Sequence, residues 1–120
     1  MKKVLIVDNS SYMRMFVKKI IEKGGFQNIF EASGKDDAME VFKLENPDIV
    51  ILDLNMSEAK MDGIHVLTDI MKINPETVVI IISAVGHENV KDECIALGAK
   101  RYIRKPLDTE ILLKTLEEYK

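Results

Sequence analysis

Six residues of this chain have the types and settings for chemistry at a shared site. Asp8 and Asn9 follow the aliphatic run "VLIV", Asp53 and Asn55 fall in "ILDLNM", Ser83 sits in "IIISAVG", and Lys105 in "YIRKP". Each comes at or just past the end of a stretch that favours burial, where buried chain would open to solvent. Two carboxylates held ~5 Å apart repel by a few kcal/mol at an effective dielectric near ~20. A divalent cation or the lysine ammonium would relieve that repulsion. Oxygen ligands from Asp8, Asp53, Asn9 and a backbone carbonyl suit Mg2+, which keeps several waters. Mg2+, a lysine and a hydroxyl together suit a phosphoryl group, whose charge they would stabilise. An aspartate acting as nucleophile then becomes an aspartyl-phosphate.

Such a site needs elements that bring distant segments to one edge. Val4 to Val7, Ile49 to Leu52 and Val78 to Ile82 are continuously apolar and rich in branched side chains, as strands covered on both faces are. Asn28 to Ala32 and Lys100 to Arg104 are weaker strand candidates. Between them, apolar residues recur at helical spacing: Met13, Phe16, Val17, Ile20 and Ile21, stopped by Gly24-Gly25; Ala38, Val41 and Phe42; Ile64, Leu67, Ile70 and Met71, stopped by Asn74-Pro75; Val90, Cys94 and Leu97, with Gly98 as C-terminal cap; and Leu107, Ile111, Leu112, Leu116 and Tyr119, with Asp108 as N-cap. Strand then helix, five times, predicts an α/β fold: a parallel sheet with helices on both faces, a (βα)5 three-layer sandwich. Right-handed crossovers favour the flavodoxin-like strand order 2-1-3-4-5. Ligands of such sheets bind beyond the carboxyl ends of the strands, and that is where Asp8, Asn9, Asp53, Asn55, Ser83 and Lys105 fall.

Composition sets bounds on function. A chain of 120 residues suits a single domain, 1–120, large enough for a core without staples. The net charge is -3 with no basic block, which gives no footprint for nucleic acid. No apolar run approaches ~18 residues, which argues against a membrane span, and "MKKVLIVD" is too short in its apolar part for a signal peptide. The lone Cys94 allows no internal disulfide and fits a cytoplasmic setting.

The set "LIVDNS", "DIVILDLNM", "MDGI", "IIISA" and "LGAKRYIRKP", in this order and spacing, resembles the receiver domain of two-component response regulators over essentially the whole chain. The segment "VDNSSYMRMFVKKII" looks most like the stand-alone chemotaxis regulators of that family. The resemblance implies that Asp53 accepts a phosphoryl group from a sensor histidine kinase. It implies Mg2+ bound by Asp8, the Asp53 carboxylate and the backbone carbonyl of Asn55. It makes Lys105 and Ser83 phosphoryl-binding, often with a cis bond before a proline such as Pro106. Ser83 and Tyr102 become the switch pair, altering a face made by the fourth helix, fifth strand and fifth helix, where a downstream protein binds. Asn55 and Val85 would tune hydrolysis of the aspartyl-phosphate, the only catalysis expected of the domain besides the transfer itself.

Two features depart from the family pattern. Asn9 stands where a second acid normally contacts the metal. An amide oxygen can ligate Mg2+ but brings no charge, so binding should be weaker than usual for the family. Two readings stay open: weaker Mg2+-dependent phosphorylation, or a protein-binding module that works unphosphorylated. In "DLNMSEAKMDGI", Ser57 replaces the usual proline and Gly63 comes about two residues late, which predicts a longer, less rigid loop over the site.

Simpler roles compete for several residues. Ser10 or Ser11 fits the N-cap of the first helix. His65 and His87 fit exposed helix positions, and Cys94 falls on an apolar stripe as a buried, inert thiol. A flavodoxin-like electron carrier would need a glycine- and hydroxyl-rich phosphate loop after the first strand; "DNSSYMR" has the serines and no glycine.

Overall fold

The structure is a computed structural model that describes residues 2–54, 61–84 and 88–120. Strands and helices alternate along the chain: β1 (Lys3–Val7), α1 (Ser11–Lys23), β2 (Asn28–Ala32), α2 (Lys35–Glu45), β3 (Ile49–Asp53), α3 (Met61–Ile73), β4 (Val78–Ser83), α4 (Glu88–Ala96), β5 (Arg101–Arg104) and α5 (Thr109–Glu118). The strands form one parallel sheet of order β2-β1-β3-β4-β5. This is the predicted flavodoxin-like (βα)5 sandwich, with most boundaries within a residue of those expected. β3 and β4 each run one residue further, taking in Asp53 and Ser83, because the backbone ladder outlasts the apolar run.

Alternation along the inner strands builds the layers. Leu5, Val7, Val50, Leu52, Val79 and Ile81 face one core with Phe42 of α2, Ile70 of α3 and Cys94 of α4. Val4, Ile6, Ile49, Ile51, Ile80 and Ile82 face the other with Ile21 of α1 and Leu112 of α5. Both sheet faces are therefore dry, which is why these strands read as unbroken apolar runs. Cys94 is buried as expected; burial, with the Glu93 charge near it, pushes its thiol up to about 11.

The caps follow local chemistry. Ser10, of the two serine candidates, caps α1: its Oγ accepts the Met13 N–H at 3.2 Å. Asp108 caps α5, accepting the N–H groups of Glu110 and Ile111. Leu107 lies just outside that helix and packs in the same core as Leu112, a hydrophobic staple across the cap. Gly98 follows α4 with φ +117, a conformation that L side chains rarely adopt, in keeping with its expected capping role.

The longer loop expected around Ser57 falls on residues outside those described. Gly63 lies inside α3, and its lack of a side chain has a specific cause. A Cβ there would stand 2.7 Å from the Cα of Leu54 and 3.0 Å from its carbonyl oxygen. The glycine lets α3 close on the backbone directly after Asp53. Alanine in a helix is ordinarily favoured over glycine by about 1 kcal/mol. Here the contact is with backbone that cannot swing aside, so overpacking outweighs propensity. Gly63→Ala is expected to destabilise the protein by about 1–3 kcal/mol, read from the midpoint of urea unfolding.

Candidate functional site

Register brings the site together. Val7 of β1 lies opposite Leu52 of β3, and the next residues are Asp8 and Asp53. Asp53 lies opposite Ile82 of β4, and Ser83 follows. Ser83 lies opposite Arg104 of β5, and Lys105 comes next, its N–H donating to the Ser83 carbonyl at 2.9 Å. Four chain segments thus deliver their polar residues to one rim. Asp8 is 5% exposed, Asp53 4% and Ser83 fully buried. The Lys105 Nζ lies 3.3 Å from Asp53 Oδ2, and the Lys105–Pro106 peptide is cis.

The electrostatics are those of crowded acids. Asp8 is held above its ordinary carboxylate pKa, chiefly by burial. The Ser10 N–H, donating to Asp8 Oδ1 at 2.9 Å, pulls the value back. The Asp53 charge pushes it up, Lys105 pulls it down, and a hydrogen bond between the two carboxyl groups adds to the rise. With both acids ionised, Lys105 alone does not balance the negative charge that Asp8 and Asp53 carry in a desolvated site. Oxygen-only donors, desolvated and mutually repelling, fit a hard divalent cation such as Mg2+. Among the described residues, no group of three or more His, Cys, Asp or Glu is placed to hold a metal ion.

Asn9 is exposed beside this pair. Tyr102 stands opposite Ile81, two positions short of the rim, partly buried against the core shared with α2, α3 and α4. Asn55 and Val85, expected to supply a metal-binding carbonyl and to tune hydrolysis, lie outside the described residues, as does His87. His65 is exposed on α3, as predicted. Lys105 also lines a groove of about 310 Å³ with Tyr12, Met13, Phe16, Pro106 and Leu107. Arg14 of α1 gave no signal in the sequence, where it reads as one more basic helix residue. Its guanidinium Nη1 donates to the Asp8 carbonyl at 2.7 Å, and its Nε meets Glu31 Oε1 of β2 at 3.1 Å.

Known proteins resemble this chain in sequence and fold. The sequence profile of the response regulator receiver domain matches residues 4–117. The chain is similar to the chemotaxis protein CheY of Thermotoga maritima, 40% identical over 98% of this chain and 96% of that protein. It is similar also to the CheY of Bacillus subtilis, 36% identical over 97% and 95%. The crystal structure of the Vibrio cholerae chemotaxis protein CheY4 superimposes with a TM-score of 0.86, at 28% identity and 98% coverage of both chains.

The raised Asp8 carboxyl has a consequence for stability. The folded protein binds this proton more tightly than the unfolded chain does. The stability Asp8 contributes is therefore fully present below its unfolded pKa and is lost as pH rises through the folded value. Asp8→Asn removes the charge and keeps an oxygen for the Ser10 N–H. In metal-free buffer at neutral pH the variant should melt a few degrees above the parent. The gap should narrow as the buffer is acidified through the raised folded value, and close below the ordinary carboxylate value of about 4, where Asp8 is protonated in the folded and unfolded chain alike. Thermal melts across that range check this; equal melting at neutral pH would show that burial of the Asp8 charge costs nothing.

Proposed function

The chain belongs to the response regulator receiver domain family, and from that premise we propose that it is a single-domain switch whose phosphoacceptor is Asp53. Receivers of this family take a phosphoryl group from histidine kinases, use Mg2+ in doing so, and bind downstream protein targets. The observation that carries the reading is Asp53 itself, buried at the end of β3 with Asp8 beside it and the Lys105 ammonium 3.3 Å away.

An oxygen of the Asp53 carboxylate attacks the phosphorus of a phosphohistidine. The new O–P bond forms as the N–P bond of the donor breaks, and the imidazole leaves with the electron pair. Lys105 neutralises charge on the transferred phosphoryl oxygens, and the Ser83 hydroxyl donates to them. Mg2+, held by Asp8, Asp53, the backbone carbonyl of Asn55 and the amide of Asn9, would supply the charge that lets three phosphoryl oxygens approach two carboxylates. Hydrolysis of the aspartyl-phosphate resets the site, at a rate tuned by Asn55 and Val85. Movement of Ser83 toward the phosphoryl group leaves room for Tyr102 to turn inward, altering the face of α4, β5 and α5 where the target binds. A cytoplasmic, chemotaxis-type pathway suits a chain that matches stand-alone regulators over nearly its whole length.

Asn9 favours a second reading, in which the domain binds its partner without phosphorylation. Intact-mass measurement after incubation with acetyl phosphate separates the two. Addition of one phosphoryl mass that requires both Mg2+ and Asp53, and is lost in Asp53→Asn, is the expected result. Failure to gain that mass and to form a beryllofluoride complex would favour the unphosphorylated module. Restoring an acid has a predictable size. A unit charge ~4 Å from a divalent ion in a water-like dielectric contributes about 2 kcal/mol, so Asn9→Asp should tighten Mg2+ binding at least tenfold or so by calorimetry.

A further inference from the structure

The junction between β1 and α1 is held by a closed ring of contacts. The Asp8 N–H donates to the Ala32 carbonyl of β2 at 3.1 Å, extending the ladder one residue past β1. On the other side of Asp8 the strand has ended, and its carbonyl needs a donor from elsewhere. Arg14 Nη1 supplies it at 2.7 Å. The same guanidinium is fixed by Glu31, the neighbour of Ala32 on β2. Arg14 is a largely covered side chain, 18% exposed against 38% for Glu31. A planar guanidinium can satisfy both partners at once; an ammonium at that site cannot reproduce the fork.

We propose that Arg14, oriented by Glu31, is a positioning residue for the acidic site, resting on the Mg2+-dependent function proposed above. The carbonyl it grips belongs to the rigid Asp8–Asn9 peptide plane. Fixing that plane sets the backbone N–H and the Cα of Asn9, from which the next peptide plane brings the Ser10 N–H to Asp8 Oδ1 at 2.9 Å. Without the grip, a carboxylate that is desolvated and repelled by Asp53 would gain by turning toward water. The clamp keeps it beside Asp53, so that a cation meets a preformed pair of acids. Because Asn9 brings no charge, Asp8 is the only acid that the β1–α1 junction itself contributes, and its placement matters the more. Glu31 balances the guanidinium, so the clamp adds little net positive charge to a site that must attract a cation.

The test uses the full chain and three variants: Arg14→Met, which loses the fork; Arg14→Lys, which keeps the charge; and Glu31→Gln, which leaves Arg14 in place without its orienting charge. Mg2+ affinity is measured by calorimetry, and the Ser10 amide resonance is followed in the metal-free protein. Outer-shell partners of metal ligands are typically worth about tenfold or more in affinity. Both Arg14 variants should lose about that much and shift the Ser10 amide before any metal is added. Glu31→Gln should move both readouts the same way by less. Wild-type affinity in Arg14→Lys would show that charge alone suffices and would overturn the proposal. So would an unmoved Ser10 amide with unchanged affinity in Arg14→Met. If the Arg14 variants fail to fold, Glu31→Gln decides, since it alters one side chain on an edge strand; unchanged affinity and an unmoved Ser10 amide there overturn the clamp. A parent protein that binds no Mg2+ overturns both the clamp and the function on which it rests. A parent that binds Mg2+, with variants that match it, overturns the clamp alone.

Discussion

A carboxylate buried at the end of a strand is unfavourable, because it has lost water and gained little in exchange. A second one beside it adds repulsion. Asp8 and Asp53 stand in this relation because β1 and β3 are parallel neighbours in a register that ends both at the same level. The features around them read as partial compensation. Lys105 meets Asp53, the Ser10 N–H meets Asp8, and Arg14 takes the carbonyl that the ladder leaves over. None of these removes the excess negative charge, and that excess is what a divalent cation, or a phosphoryl group arriving with one, can relieve.

Stability and function are supplied by different parts of the chain. The two dry faces of the sheet hold the inner strands rigidly, so the bases of Asp8, Asp53 and Ser83 have little freedom. The site then tolerates an arrangement that is poor for stability, since the cores beneath it carry the fold. Gly63 belongs to the same logic: a missing methyl lets α3 close on the chain just past Asp53. The helices divide unevenly, α1 and α5 on one face and α2, α3 and α4 on the other. Tyr102 packs with the second group, on the side from which a change at Ser83 would have to be read out.

Much of this was legible in the order of residue types. Unbroken apolar runs mark strands buried on both faces, three-and-four spacing marks the helices, and Asp108, Gly98 and the serines before Tyr12 mark helix ends. These are local effects of burial, propensity and capping, which act within a few residues and leave their pattern in the chain. The polar residues that close the apolar runs also point to the rim, because the carboxyl ends of parallel strands share one edge. Hence Asp8, Asp53, Ser83 and Lys105 belong to one rim on the strength of the sequence alone.

Other features depend on which segments become neighbours, and no local pattern encodes that. Gly63 reads as a displaced loop glycine; its reason is Leu54, the first residue past β3. Arg14 reads as a solvated helix residue, and becomes a clamp only because β2 lies beside β1 and brings Glu31 within 3.1 Å. The raised Asp8 carboxyl likewise arises from burial and from Asp53, 45 residues away in sequence. The sequence by itself determined the elements, their order and which polar groups close the apolar runs, because burial and capping are local. Only the tertiary structure decided which backbone atoms those groups are held by and how strongly they perturb one another, because hydrogen bonds and charges act across space.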